Sequence, residues 1–538
     1  MNLRNYNIYF HTHTISGIII TAVLFVIFFA GSLSFFKNEI SAWQKNAPNN
    51  IEAKRSLDYN KVIDSVEKKH NLYGREVSLY MAPHASKINV YVSESKDTVN
   101  NKAKGEFFYL DPKTFETADY EKSYDLGEFL YRLHFLAQVN QIAKFGFPLG
   151  YYIAGAVAFI FLFALFTGLL VHWQKIVSNF YLFRPWEKLK TVWTDLHTTL
   201  GVITFPFLFV FAVTGTYFLI SYPLFTKPTI ALQYGGKEDS LFAELGYGSH
   251  ELAMKGHISI KPDLNHFADS ARKKWAKATI NHVEVLNYGD SSMQVHIGGL
   301  IPPSKKFTSS GELVFDVASG NIIKEKDPAH PSTYAEIADN AVYVLHFGDY
   351  GGYATKIMYF LLGICSCIVI ISGVLIWLVA REKNNIPLRK RKFNMWLTRI
   401  YLSVCLGMFP VTTVAFIAVK LNPYGGKHFI YSFYFWSWLA VSIAFLFQKD
   451  IYKICRDSLL AGTVTGICIP VVNGIVTGNW PWVSYANHYH DILLIDTFWI
   501  LVSASAFICW WLMVKKQREK NAIASKKPAP AVYAGSIT

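Results

Sequence analysis

Four histidines occupy equivalent positions in a chain that repeats itself, and their spacing suggests a paired ligand role. In "HTHTISG" and "LHTTLG", His13 and His197 each precede one glycine by four residues and a second glycine by eighteen. His134 and His346 each stand in an "LHF" motif just before a later apolar segment. We call His13 and His197 the first pair, and His134 and His346 the second pair.

Two neutral imidazoles that face each other across a helical bundle provide the axial ligands of a bis-histidine haem. Ionisable side chains at a water–hydrocarbon boundary are costly and often functional. We therefore predict that the first and second pairs hold the iron of two haem b groups. The binding is expected to be non-covalent, because the chain has no C-x-x-C-H motif. Four glycines follow the first-pair histidines and would let a porphyrin face approach the helices: Gly17, Gly31, Gly201 and Gly215.

Two other histidines compete for the ligand role of the first pair, and both alternatives stay open. His172 ends the second apolar segment, but its counterpart in the repeat is Trp377, which would make the site asymmetric. His11 lies two residues before His13. A simpler explanation also exists, because small residues mediate plain helix packing and a histidine at a helix end can lie among lipid headgroups.

The elements that must position these histidines are membrane helices. The chain has 538 residues, of which 52% are hydrophobic and 16% aromatic. A helix needs about 20 apolar residues to cross the hydrocarbon core. The first apolar segment is too long for a signal peptide and is expected to stay as an anchor. We predict an α-helical polytopic membrane protein with about eight transmembrane helices, near residues 15–36, 147–172, 198–221, 354–379, 400–419, 429–447, 458–478 and 492–514.

Basic residues in the short loops predict the orientation of these helices. Lysine and arginine concentrate in loops 173–197, 380–399 and 448–457 and after residue 514, whereas "NWPWVSYANHYHD" contains neither. This pattern places both termini in the cytoplasm and the two long hydrophilic segments outside. Much of the formal net charge of +14 is then explained by this orientation and by contact with the headgroups of the lipid bilayer. We expect no nucleic-acid partner.

Residues 1–172 and 195–379 form two copies of one unit, each a helix, a soluble segment and a second helix. The second helix ends in "TGLLVHW" and the fourth in "SGVLIWL". Each soluble segment combines an amphipathic helix with strand-like runs such as "KINVYVS" and "MQVHIGG", which predicts two small α+β domains. The predicted layout is helix 1 at 1–36, soluble domain 1 at 37–146, helices 2–3 at 147–221, soluble domain 2 at 222–353, helix 4 at 354–379, a basic cytoplasmic loop at 380–399, helices 5–8 at 400–514 and a cytoplasmic tail at 515–538.

These motifs resemble the PepSY-associated transmembrane family. The similarity rests on "THTISG" and "LHTTLG" at helix starts, "VTGTYF" near a helix end, the two "LHF" motifs, and "LDPKTFE" and "FDVASGN" in the soluble segments. It covers residues 1 to about 380 and implies that the soluble segments are two periplasmic PepSY-like domains. The chain departs from the family pattern in two places, since "LDPKTFE" lacks a final glycine and "AGSLSF" replaces the first "TG". Helices 5–8 lie outside the resemblance.

Members of this family include inner-membrane iron-siderophore reductases with two b-type haems. The resemblance implies an oxidoreductase that passes electrons from the cytoplasmic side or the quinol pool to a periplasmic ferric siderophore or other iron chelate. Because no G-x-G-x-x-G follows a strand, we expect quinol or a cytoplasmic flavoprotein reductase as the donor. The main alternative is a PepSY-type regulatory or peptidase-inhibiting membrane protein without redox activity. A transporter built on the repeat is a third hypothesis, but helices 1–4 lack the buried Asp, Glu or Arg of ion-coupled transport.

Overall fold

The computed structural model describes residues 2–48, 57–81, 87–97, 103–142, 145–245 and 252–525. Within these ranges, eight helices are long and apolar enough to cross a membrane, as predicted. The chain is a multi-pass helical membrane protein. Several helices extend past the predicted apolar segments, because the hydropathy of a segment marks its lipid-facing part and not the end of its backbone hydrogen bonds. They are α1 (Leu3–Ser34), α2 (Leu149–His172), α3 (Leu189–Ser221), α4 (Gly352–Ala380), α5 (Leu388–Leu421), α6 (Gly426–Leu446), α7 (Ile451–Thr477) and α8 (His490–Ser525).

The chain divides into two compact units. The first carries the repeat and the sheet, and the second carries most of α5 to α8. The first unit comprises Met1–Ala42, Ala47–Ile386 and Tyr424–His428, and the second comprises Trp43–Asn46, Pro387–Pro423 and Phe429–Thr538.

In the first unit, α1 to α4 form a closed ring. Helix α1 packs against α2, α2 against α3, α3 against α4, and α4 against α1. Helices α1 and α3 therefore lie diagonally across the ring. Aromatic side chains fill part of its interior: Phe28 on α1 and Phe161 on α2 are both buried and meet edge to face, with ring centroids 5.6 Å apart. Bundles of this kind hold cofactors between side chains of facing helices.

The first unit also contains an antiparallel sheet, to which the described residues contribute eight strands in the order β4-β3-β2-β1-β5-β6-β7-β8. The first soluble segment supplies β1 to β4 and the second supplies β5 to β8. The two halves join where β1 pairs with β5, with Ser78 opposite Glu284. Each segment thus covers an edge that the other would leave unpaired. The strands are β1 (Val77–Tyr80), β2 (Ile88–Val92), β3 (Glu106–Leu110), β4 (Thr117–Asp119), β5 (Thr279–Leu286), β6 (Gln294–Leu300), β7 (Gly311–Asp316) and β8 (Ile322–Lys326).

One face of this sheet is covered by the two amphipathic helices Tyr59–Glu67 and Leu264–Lys274. Their apolar sides pack with alternate strand residues in a single core, which includes Val62, Phe267 and Val285. The alternation of strand side chains and the helical period explain why the sequence predicts these elements.

Short helices connect the longer elements, and two of them position the second pair: His134 directly follows one, and His346 lies within the other. These two are Leu126–Leu133 and Tyr334–Phe347. A Cβ at Gly127 would lie 2.2 Å from the carbonyl oxygen of Lys37, so a glycine is needed for this close approach. Among the described residues, further short α-helices are Lys37–Lys45, Val139–Ile142, Ile176–Tyr181, Lys227–Gln233, Glu238–Glu244 and Pro481–Ala486.

In the second unit, α7 packs against both α5 and α8. A buried polar cluster lies within this unit. The Asp496 carboxylate accepts hydrogen bonds from Trp43 Nε1 at 2.8 Å and from Asn473 Nδ2 at 2.8 Å. The Lys420 ammonium donates to the Trp43 carbonyl and lies 4.0 Å from the centroid of its ring. Because buried polar groups are costly without partners, these contacts account for the stability of the cluster in an apolar bundle.

Candidate cofactor site

The structure brings the first pair together inside the helical ring. His13 on α1 and His197 on α3 have ring centroids 6.0 Å apart, with their planes inclined by 65°. Each Nδ1 lies against a backbone carbonyl of a neighbouring helix: that of His13 is 2.8 Å from Ala164, and that of His197 is 2.9 Å from Val369. Because a carbonyl can only accept, each Nδ1 carries the proton. The lone pair of each ring is consequently on Nε2.

Two glycines provide the space that these rings occupy. A Cβ at Gly168 would lie 2.9 Å from His13 Cε1, and a Cβ at Gly373 would lie 3.1 Å from His197 Cε1. Any larger residue at either position would push the ring away. These are the glycines of "TGLLVHW" and "SGVLIWL", the matching ends of the second and fourth helices in the two copies of the repeat. Their place in both copies was the signal that could have identified them as site residues.

The second pair is also brought together. His134 and His346 have ring centroids 6.4 Å apart, with their planes inclined by 32°. His134 directly follows the helix Leu126–Leu133, and its Nδ1 contacts the Tyr131 carbonyl. His346 Nδ1 lies 2.7 Å from the hydroxyl oxygen of Thr214 on α3.

The Thr214 hydroxyl determines which nitrogen of His346 carries the proton. It donates its own proton to the Val210 carbonyl at 2.7 Å, so it accepts the proton of His346 Nδ1. Burial lowers the pKa of His134 to about 4 and the pKa of His346 to about 3. Both imidazoles are therefore neutral at neutral pH, which is the form that binds metals.

The spacing of both pairs fits two axial ligands of one metal ion. A metal–imidazole bond is about 2.0 Å long, and the ring centroid lies about 1 Å behind the nitrogen, so opposed ligands place their centroids about 6 Å apart. The observed separations are 6.0 Å and 6.4 Å. Among the described residues, none forms a hydrogen bond with Nε2 of any of the four rings. The residues present thus fit the iron of a haem, whose other ligands come from the macrocycle.

A cavity of about 1500 Å³ extends from the second pair towards the sheet. Both His134 and His346 line it, together with Phe161 and Phe211 of the bundle. Its other wall is formed by segments 276–281 and 300–305, at one end of β5 and β6. Ligand pockets usually measure about 300–1,000 Å³. This cavity has room for a macrocycle and for a further ligand beside it.

The structure separates the four predicted haem-face glycines into two kinds. Gly31 and Gly215 line the cavity. A Cβ at Gly31 would lie 3.7 Å from the Cβ of His134, so this glycine packs directly on a second-pair residue. A Cβ at Gly17 or Gly201 would meet no described atom within 4 Å. These two positions are open, and neither contacts a described histidine ring.

The two rival histidines lie near the first pair, His11 on α1 and His172 at the end of α2. His11 is exposed on α1, and its ring contacts Phe10 at a centroid distance of 5.7 Å. His172 is the half-buried last residue of α2, one turn beyond Gly168. The structure thus brings together the rings of the predicted partners, His13 and His197, with both rivals nearby.

The sequence of the first unit matches a known family. The model of the PepSY-associated TM region matches residues 10–380, a span that contains both histidine pairs and the residues lining the cavity. The chain belongs to this family. The match confirms the resemblance inferred from the motifs. None of the curated proteins compared with the chain matches it.

Proposed function

We propose that this protein carries electrons across the bacterial inner membrane through two haem b groups and delivers them to a ferric siderophore or other iron chelate on the outer side. The observation that supports the proposal is the pair of matched imidazole sites, with centroids 6.0 Å and 6.4 Å apart and every Nδ1 already engaged. Helix packing alone would not require both pairs to have nearly the same ring separation and the same protonated nitrogen, Nδ1.

Each pair holds one haem in this proposal. The carbonyls of Ala164 and Val369 orient the rings of the first pair, and Tyr131 and Thr214 orient those of the second. Such partners fix the ring orientation and raise the basicity of the ligand nitrogen. When bound, haem supplies reversible one-electron chemistry at its iron.

The two pairs lie near opposite ends of the ring of helices. His134 packs on Gly31, which is eighteen residues after His13 on the continuous helix α1. At a rise of 1.5 Å per residue, this separation is about 27 Å. The hydrocarbon core is about 30 Å thick. Haems held by the two pairs at these depths would supply two one-electron centres along that distance.

The cavity beside the second pair is the proposed site where the ferric chelate binds and is reduced. Its bundle wall carries apolar and aromatic residues next to His134 and His346. One electron reduces Fe(III) to Fe(II), which weakens the hold of hard oxygen ligands on the metal. Quinol or a cytoplasmic flavoprotein reductase would supply the electron at the first-pair end, with both termini on that cytoplasmic side.

Purified protein in sealed vesicles tests this function. The vesicles contain a membrane-impermeant reductant, and the outside solution contains a ferric chelate and an Fe(II) indicator. We expect Fe(II) to form outside with the wild-type protein and with His11→Ala. Its formation should fall to the rate of empty vesicles with His13→Ala or His346→Ala. Equal rates for protein-containing and empty vesicles would contradict the proposal and favour the regulatory or peptidase-inhibiting alternative.

A further inference from the structure

The charges of the cavity point to the class of chelate that it accepts. We infer that it selects anionic metal chelates, and that Lys277 and Lys305 recognise the negative charge. This inference rests on the proposed function, because it concerns the ligand of the same cavity. It goes further by assigning a charge to that ligand and a specificity role to two residues.

The cavity lining is strongly biased towards positive charge. Among the described residues that line it, five are basic and a single one, Asp349, is acidic. Field lines concentrate in a cleft with one sign of charge and low-dielectric walls, which raises the local concentration of ligands of the opposite sign. The basic residues are Lys37, Arg272, Lys277, Lys305 and Lys356.

Three of these five charges are already neutralised by carboxylates. The remaining two side chains, Lys277 and Lys305, are exposed, and no described carboxylate forms an ion pair with either. They are the lining cations whose charge is available to a ligand. The neutralised cations are Lys37 at 2.5 Å from Glu128, Lys356 at 2.8 Å from Glu39, and Arg272 at 2.7 Å from Asp269.

The fold places these two lysines at the same end of the sheet. Strands β5 and β6 are paired, with Thr279 opposite Leu300. Lys277 precedes β5 by two residues, and Lys305 follows β6 by five. The adjacent Lys306 has a different role, because its ammonium donates to the carbonyl oxygens of Pro328 and Ala329 at 2.9 Å and 3.0 Å.

The cavity therefore combines an aromatic inner wall with two available cations on the strand-end segments. A ligand that satisfies both has an apolar or aromatic body and negative charge. Ferric complexes of catecholate and carboxylate chelators have this character, whereas tris-hydroxamate complexes are uncharged at the metal. Charged groups at an exposed rim act mainly on encounter and selectivity, and salt screens their effect.

Gallium(III) complexes provide the test, because gallium replaces iron in such chelates but is not readily reduced. Binding to the purified full-length protein is measured by calorimetry with two probes, a trianionic hexadentate tris-catecholate complex and a neutral hexadentate tris-hydroxamate complex. The wild-type protein should bind the trianionic complex more tightly. The Lys277→Gln and Lys305→Gln double variant should bind the trianionic complex about tenfold more weakly and the neutral complex unchanged. Raising the salt concentration should reduce the wild-type preference.

The matched control is the double variant Lys113→Gln and Lys273→Gln, which removes the same charge from exposed positions outside the cavity lining. It should bind both complexes like the wild type. Equal wild-type affinity for the two complexes, no binding of either, or an equal loss in the control would overturn the inference. Charge selectivity without electron transfer would contradict only the proposed function. Reduction of neutral chelates with no charge preference would contradict only this inference.

Discussion

The two histidine pairs have nearly the same ring separation, but they reach it through different contacts. In the first pair, the two copies of the repeat make the same contacts. Each Nδ1 donates to a helix carbonyl, and each ring packs on a glycine, Gly168 or Gly373. In the second pair, one ring uses the Tyr131 carbonyl and the other the Thr214 hydroxyl. The first pair is symmetric and the second is not.

This difference shows how the repeat has diverged where the cavity lies. Thr214 precedes Gly215, and the corresponding residue before Gly31 is Ala30, which has no hydroxyl. His134 instead donates its Nδ1 proton to the carbonyl of Tyr131, in the helix that it follows. The departure from the family motif at "AGSLSF" thus has a structural counterpart in the second pair.

The largest expected effect comes from removing one ligand of either pair. His197→Ala should lower the haem content from about two to about one per chain, and His346→Ala should do the same by emptying the other site. The double variant should be nearly free of haem. Haem content per chain is measured from the pyridine haemochromogen spectrum.

His172→Ala and His11→Ala serve as controls for this experiment, and both should retain the wild-type haem content. Loss of one haem in His172→Ala, with haem retained in His13→Ala, would show that the ligand of the first pair has been assigned to the wrong residue.

The next largest effect is expected at Gly168 and Gly373, the glycines that pack closely on the rings of the first pair. Gly168→Val should displace His13, because a Cβ alone would already lie 2.9 Å from its ring. The haem of the first pair should be lost, or its spectrum should change, while the haem of the second pair is retained. Gly146→Val is the control, since a Cβ there meets no described atom within 4 Å. Spectra that do not change in Gly168→Val would contradict the described packing of the ring.

A smaller effect, on the midpoint potential, is expected at the second pair alone. Thr214→Val keeps the shape of the side chain but removes the acceptor for His346 Nδ1. Loss of such an outer partner typically lowers metal-site affinity about 10- to 100-fold. The midpoint potential of the second haem alone should shift in a spectroelectrochemical titration, and Thr214→Ser should restore it. A shift in both haems would show that the hydroxyl acts on the whole bundle.

The smallest expected difference between the two pairs is in backbone hydrogen exchange when haem is withheld. His13 and His197 lie within the continuous helices α1 and α3, whereas His134 follows a short helix. Backbone amides of residues 126–136 should therefore gain more hydrogen exchange in haem-depleted protein than those around residue 197. An equal increase of hydrogen exchange around both pairs would contradict this difference in backbone stability.

The sequence predicted the membrane helices, the repeat and the pairing of histidines, because each depends on a local pattern: hydropathy, periodicity or matched spacing. It did not predict that the two soluble segments share one sheet, since the pairing of β1 with β5 depends on residues more than 200 positions apart. It also missed Gly168 and Gly373 as site residues. Their role becomes visible only when α2 and α4 are placed against His13 and His197.

The outcome for the four predicted glycines has a similar physical basis. Equal spacing from a histidine fixes the position of a glycine along a helix, but its surroundings depend on the neighbouring helices. Gly31 contacts His134, whereas Gly17 faces open space although it lies on the same helix. Spacing alone could not distinguish these two environments.

The most direct test of the central claim is the reduced-minus-oxidised visible spectrum of the purified wild-type protein from haem-replete cells, together with its haem content. We predict the bands of low-spin, bis-histidine b haem at about two haems per chain. A colourless protein, correctly folded in the membrane, would contradict the account.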